Sequence, residues 1–415
     1  MKRTLLTGNG AAAWGARLAA VDYVPAFPIT PQTEIVETLG MWFEGGEMNG
    51  RMVTMDSEHS MLTAAGAAAA TGVRTFTATS SQGLLYAMEM LYTVAGWRVP
   101  LVMVNVSRGL SAPITLEPDH NDILAARDSG FLQIHCATCQ EVLDSTLMAF
   151  RLAEHESVRL PVIVNMDGFY LSFTREPVEI PAPGAAGRFV GKFNAEKTSF
   201  RATAPESHAV AVLGGGPYSY FRYETHLAAL EALGVYCQVA EEFSREFGRE
   251  HQAVETYRSD DAELVFVMIG CFATKAKEAV NRLRDAGWPV GLVRPRLVRP
   301  FPADHLRAAL AGKRGAAVID QNISMGKGGI LHGELASVLY GHPEAPPVLA
   351  SYVGGLGGRD ISSEEFFEIA STLRRSVEEH RTPAPRLLYT MEELREVRKL
   401  QSIAHVERLR LEGEP

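Results

Sequence analysis

Apolar and polar positions alternate in blocks along the first 170 residues. Short runs rich in β-branched residues at Val21–Phe27, Arg51–Met55, Thr75–Thr79, Leu101–Val106 and Pro161–Asn165 read as strands. Between them, Gln32–Leu39, Ser60–Thr71, Gly83–Val94 and Gln140–Glu154 carry apolar residues at helical spacing. Strand and helix in turn predict a parallel sheet covered on both faces. Ligands of such sheets sit outside the carboxyl ends of the strands, so the residues just after each run are the first candidates for chemistry.

The pattern changes at residue 172. Pro177, Pro181, Pro183, Gly184, Gly187 and Gly191 punctuate a stretch to about 207 with no clear apolar period, which reads as a linker. A second α/β block follows, with strands expected at Ala209–Leu213, Leu264–Ile269, Pro289–Val293 and Ala316–Asp320. Its helices are expected at Tyr223–Leu233, Thr274–Ala286, Pro302–Ala311 and Ile330–Tyr340, the last after a Gly326-Lys327-Gly328-Gly329 turn. The tail from Met391 to Arg410 is helical with mixed charges, and its apolar positions fall every third residue from Leu394 to Leu409. That spacing drifts around a helix, and it fits docking on the chain's own body or on another subunit equally well. The expected division is 1–195, 208–345 and a C-terminal extension 346–415.

Bulk numbers narrow the function. A chain of 415 residues predicts two or three domains. A net charge of -9, with no basic run, argues against nucleic acid as the main partner. No apolar run approaches the roughly 20 residues of a membrane span, and the start is too short in apolar residues for a secretory signal. Four cysteines make no disulfide framework, so a reducing, cytoplasmic setting is expected.

Three strand ends carry the candidate chemistry. Glu58 follows a strand and precedes the alanine-rich run Met61–Ala70, at the positive end of a helix dipole. By itself it reads as a first-turn acid capped by Ser57 or Asp56. Thr30 lies between Pro28 and Pro31, where it would cap a helix opening at Pro31 or offer a rigid hydroxyl to a ligand. Arg108 follows the buried run Leu101–Val106, where its fork suits a carboxylate, or a salt bridge to Asp119, Asp122 or Asp128. Ser80-Ser81-Gln82-Gly83 is a fourth polar strand end. Cys136 and Cys139 have C-x-x-C spacing, but without a second pair they read as free thiols rather than metal ligands. His59 and His120 are acid–base candidates that serve equally well as hydrogen-bonded loop residues.

Taken as a set and in order, Gly8-Asn9-Gly10-Ala11, Phe27-Pro28-Ile29-Thr30-Pro31, Glu58-His59-Ser60, Thr77–Leu84, Ser107-Arg108-Gly109, Asp119-His120-Asn121-Asp122, Asp167-Gly168-Phe169 and Gly354–Asp360 carry a resemblance. The chain resembles the alpha subunit of the 2-oxoacid:acceptor oxidoreductases, the pyruvate:ferredoxin oxidoreductase-like family. The resemblance implies an α/β fold of two doubly wound thiamine-enzyme-type domains, one pyrimidine-binding and one transketolase C-terminal-like, with a helical C-terminal tail. It also implies thiamine diphosphate as cofactor. The acid matching Glu58 contacts the N1′ nitrogen of the aminopyrimidine and promotes loss of the thiazolium C2 proton. Pro28, Ile29, Ser81 and Gln82 join Glu58 in the cofactor pocket, and Thr30 and Arg108 hold the carbonyl and carboxylate of a 2-oxo acid. Coenzyme A takes the acyl group.

The chain has no Gly-Asp-Gly diphosphate motif and too few cysteines for clusters. The resemblance therefore implies a beta subunit carrying the diphosphate site, Mg2+ and a [4Fe-4S] cluster. It also implies a gamma subunit, a ferredoxin-like delta subunit, and ferredoxin or an NAD-linked flavin subunit as acceptor. Phe27 replaces the family's usual tyrosine, and Asn121 its usual serine. Pyruvate is the expected substrate, with an aryl 2-oxo acid such as phenylglyoxylate second and branched-chain 2-oxo acids third. The alternatives are a non-redox thiamine-dependent transferase or synthase subunit, and a non-catalytic scaffold subunit.

Overall fold

The computed structural model describes residues 2–193, 202–203, 205, 207 and 211–412. The first part runs β1 (Lys2–Leu6), α1 (Gly8–Leu18), β2 (Tyr23–Ala26), α2 (Thr33–Glu44), β3 (Arg51–Thr54), α3 (Glu58–Ala70), β4 (Phe76–Thr79), α4 (Ser81–Tyr86), α5 (Met88–Gly96) and β5 (Val102–Ser107). It continues through α6 (Asn121–Ala125), β6 (Leu132–His135), α7 (Cys139–Glu154), β7 (Val162–Asp167), β8 (Glu176–Ile180), α8 (Pro183–Val190) and α9 (Gly215–Phe247). The second part is β9 (Val254–Tyr257), β10 (Leu264–Val267), α10 (Phe272–Asp285), β11 (Val290–Pro295), β12 (Leu297–Arg299), α11 (Ala303–Leu310), β13 (Gly315–Asp320), α12 (Ile330–Leu339), β14 (Val348–Val353), α13 (Ser363–Glu378), β15 (Arg386–Leu387) and α14 (Met391–Glu412).

The central strands of the first sheet are β5 and β7, buried at every position, which is why they read as unbroken apolar runs. Its order is β12-β6-β7-β5-β4, and a Tyr23–Thr75 bridge carries it on to the parallel pair β2-β3. All pairings are parallel except that of β12 with β6. The carboxyl ends of β2, β3, β4, β5 and β7 therefore lie along one edge. Helix α3 approaches α5 so closely that a Cβ on Gly66 would stand 2.5 Å from Val94 Cγ2. Its small residues serve that contact. The second sheet has the order β15-β14-β13-β10-β11-β9, parallel but for β9. One apolar cluster, from Leu62 and Val94 to Val265, Val293 and Val318, is shared by both parts.

Several expectations are corrected. The expected linker holds β8 and α8. Val178 and Ile180, two apart, bury one face of β8 where it pairs with β1, a pattern too short to stand out among prolines. The strand expected at Ala209–Leu213 is not seen: residues 209 and 210 lie outside the described ones, and 211–213 form no regular element. The glycine-rich turn after it opens α9, which is 33 residues long. Ala228, Ala232, Val235, Val239 and Phe243 bury one side of α9 among α7 residues of the first core, so this helix packs on the first sheet despite the expected boundary at 208. The helix expected at Gly83–Val94 is two, α4 and α5, meeting at Ala87. Strand β14, expected in a C-terminal extension, is an inner strand of the second sheet, because its apolar run pairs with β13 along all six residues.

The tail helix α14 is rooted by Arg359, which binds Glu393 at 2.7 Å and stacks on Tyr389. Beyond that root, Val397, Leu400, Ile403 and Val406 are exposed, so docking on the chain's own body is not what the helix does.

The two parts are joined by a buried ion network. Glu141, at the start of α7, binds Arg294 at 2.6 Å and Arg296 at 2.9 Å, and Arg294 also binds Glu255 at 2.5 Å. Burial alone would raise the Glu141 pKa, but Arg294, Arg296 and the Ala137 N–H hold it well below the usual carboxylate range. A depressed value makes the stabilisation complete at neutral pH and lost as pH falls through the folded-state value. Glu141→Gln is expected to cost about 3 kcal/mol, because it leaves buried arginines short of a partner. In thermal unfolding, the gap between wild type and variant should narrow as pH falls below about 4.3, the ordinary glutamate value.

Candidate functional site

The β2–α2 loop is built to hold its backbone still. The Thr30–Pro31 peptide is cis, and the Gln32 N–H closes a turn on the Ile29 carbonyl at 2.9 Å, placing the cis-proline at the third turn position. Helix α2 therefore starts at Thr33, with Gln32 as its cap residue. The expectation of Thr30 as N-cap and Pro31 as first helical residue is corrected: the turn intervenes. Three side chains clamp the loop. Gln32 Nε2 donates to the Phe27 carbonyl at 2.8 Å, Asn9 Nδ2 to the Pro31 carbonyl at 2.9 Å, and Arg108 Nη1 to the Thr30 carbonyl at 2.6 Å. The Pro28 and Thr30 side chains face outward and are exposed, and Ile29 is half-buried.

Glu58 opens α3. Ser57 is the N-cap, accepting from the Ser60 N–H at 3.2 Å, as the first-turn reading expected. Capping is complete without Glu58, whose side chain is 6% exposed and whose carboxyl group has no hydrogen-bond or ion-pair partner among the described residues. It lies against Gly83 in α4: a Cβ there would stand 2.6 Å from both Glu58 Oε1 and Thr79 Oγ1. Thr79 Oγ1 and Ser80 Oγ are buried nearby without partners. A mostly buried acid without a partner, beside unsatisfied hydroxyls, is suited to meet a ligand's polar atoms.

Arg108 lies at the end of β5 and is buried, yet it makes no ion pair among the described residues. The expected salt bridge to Asp119, Asp122 or Asp128 is absent from its side chain. Its guanidinium donates to the Thr30 carbonyl and, at 2.6 Å, to Gln82 Oε1, leaving Nε unpartnered. Burial lowers its pKa, and the Asp122 charge opposes that. The structure thus brings Arg108, Thr30 and Gln82 into one contact set. Gln82 continues it to Ser111 through Nε2 at 2.9 Å. Ser81 is buried beneath, its hydroxyl bonded to Gln82 Oε1 at 2.6 Å and to the Gly109 carbonyl at 3.0 Å.

The residue that organises this set was passed over as a salt-bridge candidate. Asp122, fully buried, accepts from the backbone N–H groups of Ser81 (3.0 Å), Arg108 (3.3 Å) and Ile123 (2.7 Å), and from Ser107 Oγ (2.7 Å) and Asn105 Nδ2 (3.1 Å). Gly83 was missed too. The signal for Asp122 was its place two residues past a histidine in a loop that returns to the sheet edge.

His120 and His59 separate clearly. His59 pairs with Glu89 at 3.3 Å on the surface, its ring tilted against Tyr86. His120 is buried against Asp167 at 2.6 Å, and Asp167 accepts from the Cys271 N–H at 2.6 Å. Burial opposes its charge, but Asp167 carries its pKa above the usual value. With Asn121 accepting from the Ile323 N–H and Asp119 from the Gly357 N–H, this pair fastens the 108–122 loop to the carboxyl edge of the second sheet. The four cysteines are free. Burial pushes the Cys136 thiol up to about 12, so it is inert, and no cluster of His, Cys, Asp and Glu able to hold a metal occurs among the described residues. No described helix is long and apolar enough to cross a membrane.

Comparison with known proteins identifies the family. Residues 14–240 match the thiamine diphosphate-binding domain of pyruvate flavodoxin/ferredoxin oxidoreductase, and residues 262–366 match core domain II of pyruvate:ferredoxin oxidoreductase. The chain is 37% identical to the pyruvate synthase subunit PorA of Pyrococcus abyssi, over 92% of this chain and 96% of that one. It is 40% identical to PorA of Thermotoga maritima over 88% and 93%, and 38% identical to the ketoisovalerate oxidoreductase subunit VorA of Pyrococcus horikoshii over 91% and 95%. In fold it is similar to a solved 2-oxoglutarate:ferredoxin oxidoreductase from Magnetococcus marinus, with a TM-score of 0.70 at 19% identity. That match covers 90% of this chain and 65% of the other. The chain belongs to the pyruvate flavodoxin/ferredoxin oxidoreductase family, and it is the alpha-type subunit of a 2-oxoacid oxidoreductase.

Proposed function

We propose that this subunit supplies the acid and the substrate clamp for oxidative decarboxylation of a 2-oxo acid, with coenzyme A taking the acyl group and low-potential electrons leaving through partner subunits. The observation that carries the reading is a buried arginine without a carboxylate partner, on the same sheet edge as a buried carboxylate without a cation. The residues fit thiamine diphosphate: Glu58 would meet the aminopyrimidine nitrogen, with Pro28, Ile29, Ser81 and Gln82 around it. When bound, that cofactor supplies the carbon nucleophile that makes loss of carbon dioxide from a 2-oxo acid accessible. Arg108 would receive the substrate carboxylate on the guanidinium hydrogens that the Thr30 carbonyl and Gln82 leave unused, and the Thr30 hydroxyl, exposed on a clamped loop, would donate to the 2-oxo oxygen.

The chain holds no diphosphate motif and no described metal site, which supports a beta subunit bearing the diphosphate site, Mg2+ and a [4Fe-4S] cluster. Gamma and ferredoxin-like delta subunits would complete the electron path to ferredoxin or an NAD-linked flavin subunit. The exposed apolar residues of α14 favour subunit contact over a free tail. We place the complex in the cytoplasm, on the four free thiols. Pyruvate is the first substrate to test. Relatives named for pyruvate and for ketoisovalerate match almost equally, so identity does not choose between them. Half-buried Phe27 keeps an aryl 2-oxo acid as the second reading.

The purified complex should reduce a viologen dye with coenzyme A and one of pyruvate, 2-oxoisovalerate or phenylglyoxylate. No turnover with any of the three would refute the assignment. Glu58→Ala should abolish activity and weaken thiamine diphosphate binding in calorimetry, with the subunits still co-eluting. Arg108→Ala should raise the KM for the 2-oxo acid, since a charge-assisted contact of about 1.5–3 kcal/mol is lost. Unchanged saturation would count against that role. Gly83→Ala should cut kcat about as far as Glu58→Ala, because its methyl group drives into the space of the Glu58 carboxyl.

A further inference from the structure

We infer that Asp122 is a positioning residue for substrate binding: its buried carboxylate fixes Arg108 at both ends, and so presets the guanidinium that receives the substrate. The inference rests on the reading of Arg108 as the carboxylate clamp.

One end is direct. Asp122 Oδ2 accepts the Arg108 backbone N–H at 3.3 Å, and on the same oxygen the Ser81 N–H at 3.0 Å and Asn105 Nδ2 at 3.1 Å. The other end runs through Ser81. Its φ of +49° lies in the left-handed region that non-glycine residues avoid, so something outside it must fix the backbone there. Its N–H on Asp122 does so, and its hydroxyl bonds Gln82 Oε1 at 2.6 Å. That same oxygen accepts Arg108 Nη2 at 2.6 Å. One carboxylate therefore ties the ends of β4 and β5 together and sets both the root and the tip of the arginine. The remaining oxygen is filled by Ser107 Oγ and the Ile123 N–H, each at 2.7 Å.

The donor set demands an acid. Three of the five donors are backbone N–H groups, which cannot turn round to accept. An asparagine there would point its NH2 either at the Ser81, Asn105 and Arg108 donors or at the Ser107 and Ile123 donors. The first orientation releases Ser81 and Arg108 together. Asp122 also supplies the negative field nearest Arg108 without touching its guanidinium, so the arginine keeps its donors for a ligand. Arg108 paired side chain to side chain would lose them.

The test is a double-mutant cycle in the assembled complex, with pyruvate varied, coenzyme A saturating and a viologen dye as acceptor. Asp122→Asn should raise the KM for pyruvate about tenfold, with kcat per thiamine-loaded enzyme changed less than about threefold. In the Arg108→Ala background the same substitution should add less than about twofold, because its effect runs through the arginine. A fall in kcat with KM unchanged would show a structural role only, and overturn the inference. So would a full tenfold increment on top of Arg108→Ala. If Arg108→Ala alone leaves KM untouched, the clamp reading falls and takes this inference with it. Should Asp122→Asn fail to assemble, Ser107→Ala removes one donor and keeps the acid. It should raise KM about threefold, again only while Arg108 is present.

Discussion

A buried ionisable side chain with no ion pair of its own is expensive, and this fold carries two of them along one sheet edge. Arg108 has carbonyl and amide oxygens on its nitrogens but no carboxylate, and Glu58 has a hydrogen atom of glycine where a side chain would otherwise fill its space. Local folding explains neither. The helix that follows Glu58 is capped by Ser57, and Arg108 ties down a loop that Gln32 and Asn9 already hold. Groups kept unpaired at that cost are preorganised for charge brought by a ligand, so reorganisation does not have to accompany binding.

The cost is offset by the architecture beneath. Parallel pairing from β3 across to β7 delivers five strand ends to one line, and polar side chains at the last turns of β5 and β7 form a continuous network. Asn105 Nδ2 donates to Asn165 Oδ1 at 2.9 Å, and Asn105 and Ser107 both donate to Asp122. Such networks rigidify where their members are satisfied, and the Asp122 carboxylate, with five donors, is their most fully satisfied member. The second sheet contributes from its own carboxyl edge, through the His120–Asp167–Cys271 chain. A Cβ on Gly270 would stand 2.6 Å from His120 Cε1, so only a glycine lets the two edges close. The edge of the second sheet is thereby spent on holding the first.

Much of this was legible in the sequence where a pattern was long or chemically loud. Strands β5 and β7 announce themselves as buried apolar runs, α7 and α10 by their period, and the loops at Thr30, Glu58 and Arg108 by polar residues set directly against those runs. What stayed hidden was short or non-local. Strand β8 has two inward residues between prolines, and β12 has three residues and exists only because β6 offers it an edge. The cap of α2 falls on Gln32 rather than Thr30 because the Gln32 N–H closes a turn on the Ile29 carbonyl, a contact that composition does not mark. Asp122 was visible as an acid but not as an acceptor for two distant loops, since hydrogen bonds at separations of 14 and 41 residues have no period to read. Gly83 looked like an ordinary helix residue, because a missing side chain is informative only once its neighbour is placed.

The remaining step concerns why such a site is left open. Thr30 in the clamped loop and Ile114 and Leu116 in the 108–122 loop are exposed, and the chain's own second sheet meets that loop through the Gln321 and Gly358 backbone. A cofactor bound only by the candidate groups would have one side in water. There the dielectric advantage of a buried acid and arginine would largely disappear. The cost already met in burying those two groups makes physical sense only if a second surface excludes solvent from the other side. That is the physical ground for the proposal of a seam between polypeptides rather than a pocket within one.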